Sequence, residues 1–273
     1  QTPIIPSIIA DDRVSQIHSF DYRNPKQLDD GAVLIVGAGS SGSQIADELL
    51  RAGRKVYLSI GPHERPPRSY RGKDFVWWLG TLGKWQMQTP PIGKEHVTIA
   101  VSGAYGGKTV DFRKFAHRGM KLLGMTKTYA SGVITIADDL AKNIADGDAN
   151  YLGLLAEADE YIKVNNLDFP AEEDAKLIMP DPACLTSPTR QLHLEDAGIK
   201  TVLWATGYVQ DFSWLKVDVF DNKKKPFHKK GVAAINGIYF IGLPWLSMRG
   251  SSFIWGVWED ARYLAAHIAK HRS

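Results

Sequence analysis

With 273 residues the chain has room for one large domain or two ordinary ones, each with its own core. Its 44% hydrophobic and 23% charged content is that of a folded globular protein, and no run of about 18 apolar residues predicts a membrane span. The 33 Lys and Arg against 30 Asp and Glu leave a net charge of +3, which excludes the dense basic field of a nucleic-acid binder and points to small partners.

A single cysteine, Cys184, excludes an internal disulfide, a CxxC pair and a cysteine-built zinc site, and it fits a reducing, cytoplasmic setting with no metal expected. The chain opens at Gln1, without an initiator Met or signal-peptide pattern, and reads as a piece of a longer polypeptide or a chain processed after synthesis. Residues 1–31, with Pro3, Pro6 and Pro25, predict connecting segments with at most one short strand. Residues 32–36 are continuously apolar, as in a parallel strand buried on both faces. A helix is predicted over 41–52, where Ile45, Ala46, Leu49 and Leu50 share a face, and a second strand over 55–60. Strand, helix and strand make one right-handed βαβ unit.

A basic, proline-rich loop follows over 61–73, then the aromatic segment 75–79. The pattern predicts a helix over 112–123, a strand over 132–136, and one broken or two consecutive helices over 138–162. Residues 200–205 and 237–242 read as short strands, and an amphipathic helix is predicted from about 252 to 270. The lysines 223–225, with Lys229 and Lys230, read as a solvated hairpin tip.

Gly37-Ala38-Gly39-Ser40-Ser41-Gly42 is a GxGxxG that follows a buried strand and opens a helix, the context a dinucleotide fold requires. Gly37 permits the tight turn, Gly39 admits a pyrophosphate to the backbone, and Gly42 lets helix and strand pack closely. The helix N-terminus offers N–H groups and partial positive charge to phosphates. An NAD site usually places a carboxylate at the end of the second strand, but here that strand ends Leu58-Ser59-Ile60-Gly61. Arg65, Arg68 and Arg71 follow, so a 2′-phosphate could find charge-assisted donors, and NADPH is expected over NADH.

Trp204-Ala205-Thr206-Gly207-Tyr208 at a strand end resembles the ATG signature of flavoproteins with two dinucleotide domains. Residues 237–245 leading to Arg249-Gly250-Ser251-Ser252 resemble their C-terminal flavin segment. Together with the fingerprint, these motifs are similar to class B flavin-dependent monooxygenases: flavin-containing monooxygenases, plant auxin-synthesis enzymes and a bacterial branch often labelled potassium-transport flavoproteins. The bacterial branch fits best around residues 70–78. Two departures stand out. The family's FxGxxxH signature ends at His18, but its Phe and Gly positions hold Asp12 and Val14. The family also opens on a separate FAD fingerprint, whereas this chain carries one fingerprint, whose place resembles that of NADPH, and Gln1-Thr2-Pro3 resembles the family's chain just beyond the FAD lobe.

The resemblance implies an α/β, Rossmann-type flavoprotein with an NADPH domain inserted in an FAD domain that is incomplete here. The expected divisions are an FAD-domain remnant over 1–31, the NADPH domain over 32–184 and the C-terminal part of the FAD domain over 185–273. It implies NADPH and FAD as cofactors, O2 and a small organic substrate, and oxygenation through a C4a-(hydro)peroxyflavin. Ala205, Thr206 and Gly207 would lie at the crossing between nucleotide domains. Gly242, Leu243, Pro244 and Trp245 would lie by the isoalloxazine, with Ser251 and Ser252 opening a helix aimed at the flavin. No proton donor is assigned, and His18 reads as a structural hydrogen-bonding residue. A flavin disulfide reductase would need a second cysteine; other flavin reductases and a non-catalytic NADP(H) sensor are the alternatives. The chain by itself is expected to be colourless, inactive and prone to self-association through Leu203, Phe240, Ile241 and the last helix.

Overall fold

A computed structural model of the chain describes residues 8, 12–88, 98–222 and 224–271. The expectations for Gln1-Thr2-Pro3, Pro6 and Lys223 lie outside them. The chain forms two compact units, Gln1–Phe75 with Thr98–Tyr208 and Val76–Val97 with Val209–Ser273.

In the first unit β1 (Ser15–His18) is followed by β2 (Ala32–Val36), α1 (Ser40–Arg51) and β3 (Val56–Ser59). The loop after β3 carries the short hairpin β4 (Ser69–Tyr70) and β5 (Lys73–Asp74) and leads into α2 (Phe75–Thr81). Then come α3 (Phe112–His117), β6 (Lys121–Leu123), β7 (Thr126–Ala130), β8 (Val133–Ile136) and α4 (Leu140–Val164). The unit closes with α5 (Ala183–Thr186), β9 (Gln191–His193), α6 (Leu194–Ala197) and β10 (Ile199–Trp204).

Five strands form a parallel sheet in the order β1-β10-β2-β3-β6, a Rossmann-type arrangement. Val33, Leu34 and Ile35 are fully buried because both faces of the sheet are covered. Alternate residues serve the two faces, as the strand period demands. Val33 and Ile35 pack with Ile45, Ala46 and Leu49 of α1, Phe112 and Phe115 of α3, and Leu140 and Ile144 of α4. Ala32, Leu34 and Val36 pack with Tyr129, Ile134, Ile136 and Leu192 of the antiparallel sheet β7-β8-β9.

Several elements differ from the expected ones. The helix predicted over 112–123 stops at His117, because Gly119 takes φ +102° and the chain then enters the sheet as β6. The break predicted within 138–162 is absent: α4 runs unbroken through Gly147 and Gly153. Expected boundaries at 31/32 and 184/185 do not coincide with the compact units, since β1 and β10 hydrogen-bond into the fingerprint's own sheet.

In the second unit β11 (His228–Lys229) and β12 (Val232–Ala233) form a hairpin that turns at Lys230 and Gly231, while Lys224 and Lys225, expected at the same tip, lie in a separate turn closed by the Phe220–Pro226 bridge. Val219, Ala233, Phe240 and Leu246 form a small core there. The strand predicted over 237–242 is reduced to one bridge, Val232 to Tyr239, because Gly237 and Gly242 both take positive φ. The last helix, α7 (Val257–Lys270), begins five residues later than expected. Gly250 and Gly256 approach so closely that a Cβ on either would meet the other's backbone, and that crossing forces a 3-10 turn over Arg249–Ser252 instead. Leu203 and Phe240, expected at an exposed edge, are buried, Leu203 because β10 keeps a strand on each side; Ile241 is half exposed.

Candidate functional site

The site lies at the carboxyl edge of the parallel sheet, where the chain leaves β2 toward β3 on one side while β10 and β1 lie on the other. Ligands of open α/β sheets sit in such a crevice. Gly37 turns with φ +104°, and a Cβ there would overlap the Ala205 carbonyl. A Cβ on Gly42 would fall inside the Gly37 carbonyl oxygen, so α1 can start here only on glycine. Gly39 is the N-cap of α1, and no side chain caps this terminus, which leaves its first-turn N–H groups available to an anion. Ala38 is buried, and its carbonyl accepts from Ser43 Oγ at 2.9 Å. Ser40 Oγ donates to the Ile99 carbonyl at 3.0 Å, and Ser41 is exposed.

The ends of β10 and β1 supply the opposite side. Ala205 N donates to Val36 O at 2.9 Å, which seats the 205–207 turn beside the glycine loop. Thr206 Oγ1 and His18 Nε2 are buried with no hydrogen-bond partner among the described residues, an arrangement that costs free energy unless a ligand or water meets them. His18 Nδ1 accepts from Phe20 N at 3.1 Å, and its ring stands edge-on to Tyr208 with centroids 5.3 Å apart. This bears on the structural reading of His18: one nitrogen holds the backbone turn, and the other is left unmet.

Other expected contacts are committed elsewhere. Ser59 is buried; its hydroxyl donates to Gly124 O at 2.9 Å and accepts from Thr126 N at 3.1 Å, tying β3 to the chain leaving β6. Arg65 is 5% exposed, donates to Asp148 Oδ1 at 2.7 Å and to Val110 O at 3.1 Å, and stacks over Tyr151. Arg113 pairs with the other oxygen of Asp148 and with Asp181 at 2.7 Å, so one buried carboxylate joins two arginines. Arg68 pairs with Asp74, and Arg71 with Asp159 at 2.8 Å. All three arginines expected at a 2′-phosphate are therefore held by carboxylates. His63 Nδ1 lies 2.9 Å from Gly61 O, and burial pushes its pKa below the ordinary value, with Arg65 adding in the same direction.

In the second unit Gly242 is exposed and Trp245 takes φ +56°. Leu243 packs against the small core, and Pro244 is exposed. Ser251 is fully buried, and its hydroxyl accepts from the Ser247 and Met248 N–H groups, both at 3.1 Å, while Ser252 is exposed. The helix expected to open near Ser252 starts at Val257, and its first turn carries Glu259 and Asp260. Those carboxylates offset the positive end of the dipole that was expected to face a flavin.

Sequence reasoning passed over the segment Thr98-Ile99-Ala100. It runs parallel to Glu64, with Glu64 N donating to Thr98 O and Ala100 N to Glu64 O, both at 2.8 Å. Its signal was a short run of β-branched and small residues.

A family model described as flavin-binding monooxygenase-like matches residues 7–63, from before β1 to the loop after β3. An uncharacterized CzcO-like oxidoreductase of Geobacillus kaustophilus is 31% identical over 99% of this chain and 62% of its own length. A CzcO oxidoreductase of Bacillus subtilis is 28% identical over 98% and 62%. Flavin-containing monooxygenase 5 of Cavia porcellus is 27% identical over 78% of this chain and 34% of its own. A double mutant of a flavin monooxygenase from Stenotrophomonas maltophilia superposes with a TM-score of 0.51 over 96% of this chain and 56% of that one, at 14% identity, which shows a shared fold. The chain is thus similar to flavin-binding monooxygenase-like proteins over residues 7–63 and to CzcO-like oxidoreductases over nearly its whole length, and it has a Rossmann-type α/β fold. It spans about three fifths of the length of the CzcO relatives.

Proposed function

We propose that this chain is the pyridine-dinucleotide part, with the C-terminal flavin-side segment, of an NADPH- and FAD-dependent monooxygenase acting on a small organic substrate. The observation that carries the reading is the uncapped helix terminus behind Gly37 and Gly39, set at the crevice between β2 and β10 beside two unmet polar atoms, Thr206 Oγ1 and His18 Nε2. When bound, NADPH supplies the hydride and FAD activates O2. The chain's own residues hold and orient: the first turn of α1 receives the pyrophosphate, Ser40 and Ser41 stand beside it, and Ala205 to Gly207 bound the far side. Gly242 to Trp245, Ser251 and Ser252 are read as the flavin-side segment, with Ser251 acting through the loop it ties.

The absence of a carboxylate at the end of β3 supports NADPH over NADH. Since Arg65 is buried in an ion network, the candidates for a 2′-phosphate are Arg68 and Arg71, which would exchange Asp74 and Asp159 for it. Thermal unfolding of the chain in titrations of NADPH and NADH tests this, because ligand at about 100 times its Kd adds roughly 2.7 kcal/mol. A larger shift with NADPH is expected, diminished in Arg68→Ala or Arg71→Ala. Equal or reversed shifts would count against the NADPH assignment, and no shift with either nucleotide would count against a dinucleotide site.

A further inference from the structure

Thr98 is the first residue of the first unit after the chain returns from Val76–Val97, and it does not land at random. The two 2.8 Å ladder bonds to Glu64 fix Thr98 and Ala100, Ala100 is fully buried, and Ser40 Oγ grips the Ile99 carbonyl between them. Held in this way, Thr98 places its Cγ2 methyl 3.2 Å from the position a Cβ on Gly39 would take. Gly39 is the residue whose missing side chain leaves room for a pyrophosphate, so whatever stands in that direction borders the phosphates.

We infer that Thr98 is a further residue of the dinucleotide site, a wall facing the pyrophosphate across Gly39, and that Ser40 and Glu64 are the residues that position it. This rests on the dinucleotide reading above. The wall is uncharged, small and β-branched: it closes the space beside Gly39 without bringing a charge to the phosphates, and its stiff χ1 keeps the methyl where the backbone aims it. The inference makes charge at position 98 matter to phosphate and to little else.

The test compares Thr98→Asp with Thr98→Asn, which are nearly equal in shape and differ in charge. Binding to the chain is measured for two probes, NADP+, which carries the pyrophosphate, and adenosine, which does not. Relative to Thr98→Asn, the Asp variant is expected to bind NADP+ at least tenfold more weakly at low ionic strength, about 1.4 kcal/mol, with the gap narrowing as salt rises. Adenosine binding is expected to be the same in both. Unfolding temperatures without ligand verify that both variants fold; if the Asp variant does not, Thr98→Glu replaces it with the same expectation against Thr98→Gln. Equal NADP+ affinity in the charged and neutral variants, or an equal loss for adenosine, overturns the wall while leaving the dinucleotide reading intact. If unaltered protein binds NADP+ no better than adenosine, the dinucleotide reading itself fails, and the wall with it.

Discussion

Asp148 holds Arg65 with one oxygen and Arg113 with the other, inside a region where all three side chains are nearly closed to solvent. Removing the carboxylate strands the buried Arg65 guanidinium and leaves Arg113 with Asp181 alone, so Asp148→Ala should destabilise by roughly 3 to 5 kcal/mol in urea unfolding. Gly42→Ala should cost roughly 3 kcal/mol, because its methyl has no space beside the Gly37 carbonyl and backbone must move. His63 gives a different signature. Burial lowers its pKa in the folded chain, so below about 6.5 the unfolded chain binds a proton that the folded chain refuses. Its contribution is present above that pH and is lost as pH falls toward its folded value. His228, lowered by burial in the second unit, acts with the same sign. Denaturation midpoints from pH 7.5 to 5 should fall, and His63→Gln should flatten part of that slope.

At the level of elements, α4 carries two glycines with opposite reasons for being there. A Cβ on Gly147 would run into the His63 ring, whereas Gly153 has open space around it. Gly153→Ala should therefore stabilise the chain by about 0.5 to 1 kcal/mol through helix propensity, and Gly147→Ala should destabilise it. Calorimetric unfolding of the two variants separates them by sign. These elements also show what could be read beforehand. The strand at 32–36, the glycine turn and α1 were legible because burial on both faces and a 3.6-residue stripe leave local signatures. β6, β7 and β9 were not, since three to five residues of mixed polarity owe their strand form to neighbours distant in sequence. The site followed the same rule. Gly37, Gly39 and Gly42 announce themselves by spacing, but the fates of Arg65 and Ser59 depend on Asp148, Gly124 and Thr126, more than 60 residues away. Thr98 is legible only once it is seen facing Gly39.

For the whole molecule, the second unit's surface predicts its behaviour in solution. Ile254 is 96% exposed, with Trp255 and Trp258 half exposed on and beside the start of α7. Such a concentration of apolar surface favours contact with another protein surface, and concentrated chain is expected to self-associate. Sedimentation over a hundredfold range of concentration should show rising mass, reduced in Ile254→Asp; a constant monomer mass would refute this.

The position of β10 in the sheet has a consequence in time. It is the last strand of its unit to be made, yet it lies between β1 and β2, pairing Ile17 with Leu203 on one side and Ile35 with Leu203 on the other. At roughly 5 to 20 residues per second, a ribosome needs on the order of 10 to 30 s to pass from the end of β2 to the end of β10. Throughout that interval β1 lacks the strand it pairs with among the described residues, and β2 presents one bare, wholly apolar edge. The nascent chain thus spends its synthesis as an open half-sheet, and the step that completes it is the insertion of a central strand, a slow kind of closure. Chains released before residue 204 should be protease-sensitive and sticky, while those released after Tyr208 should resist.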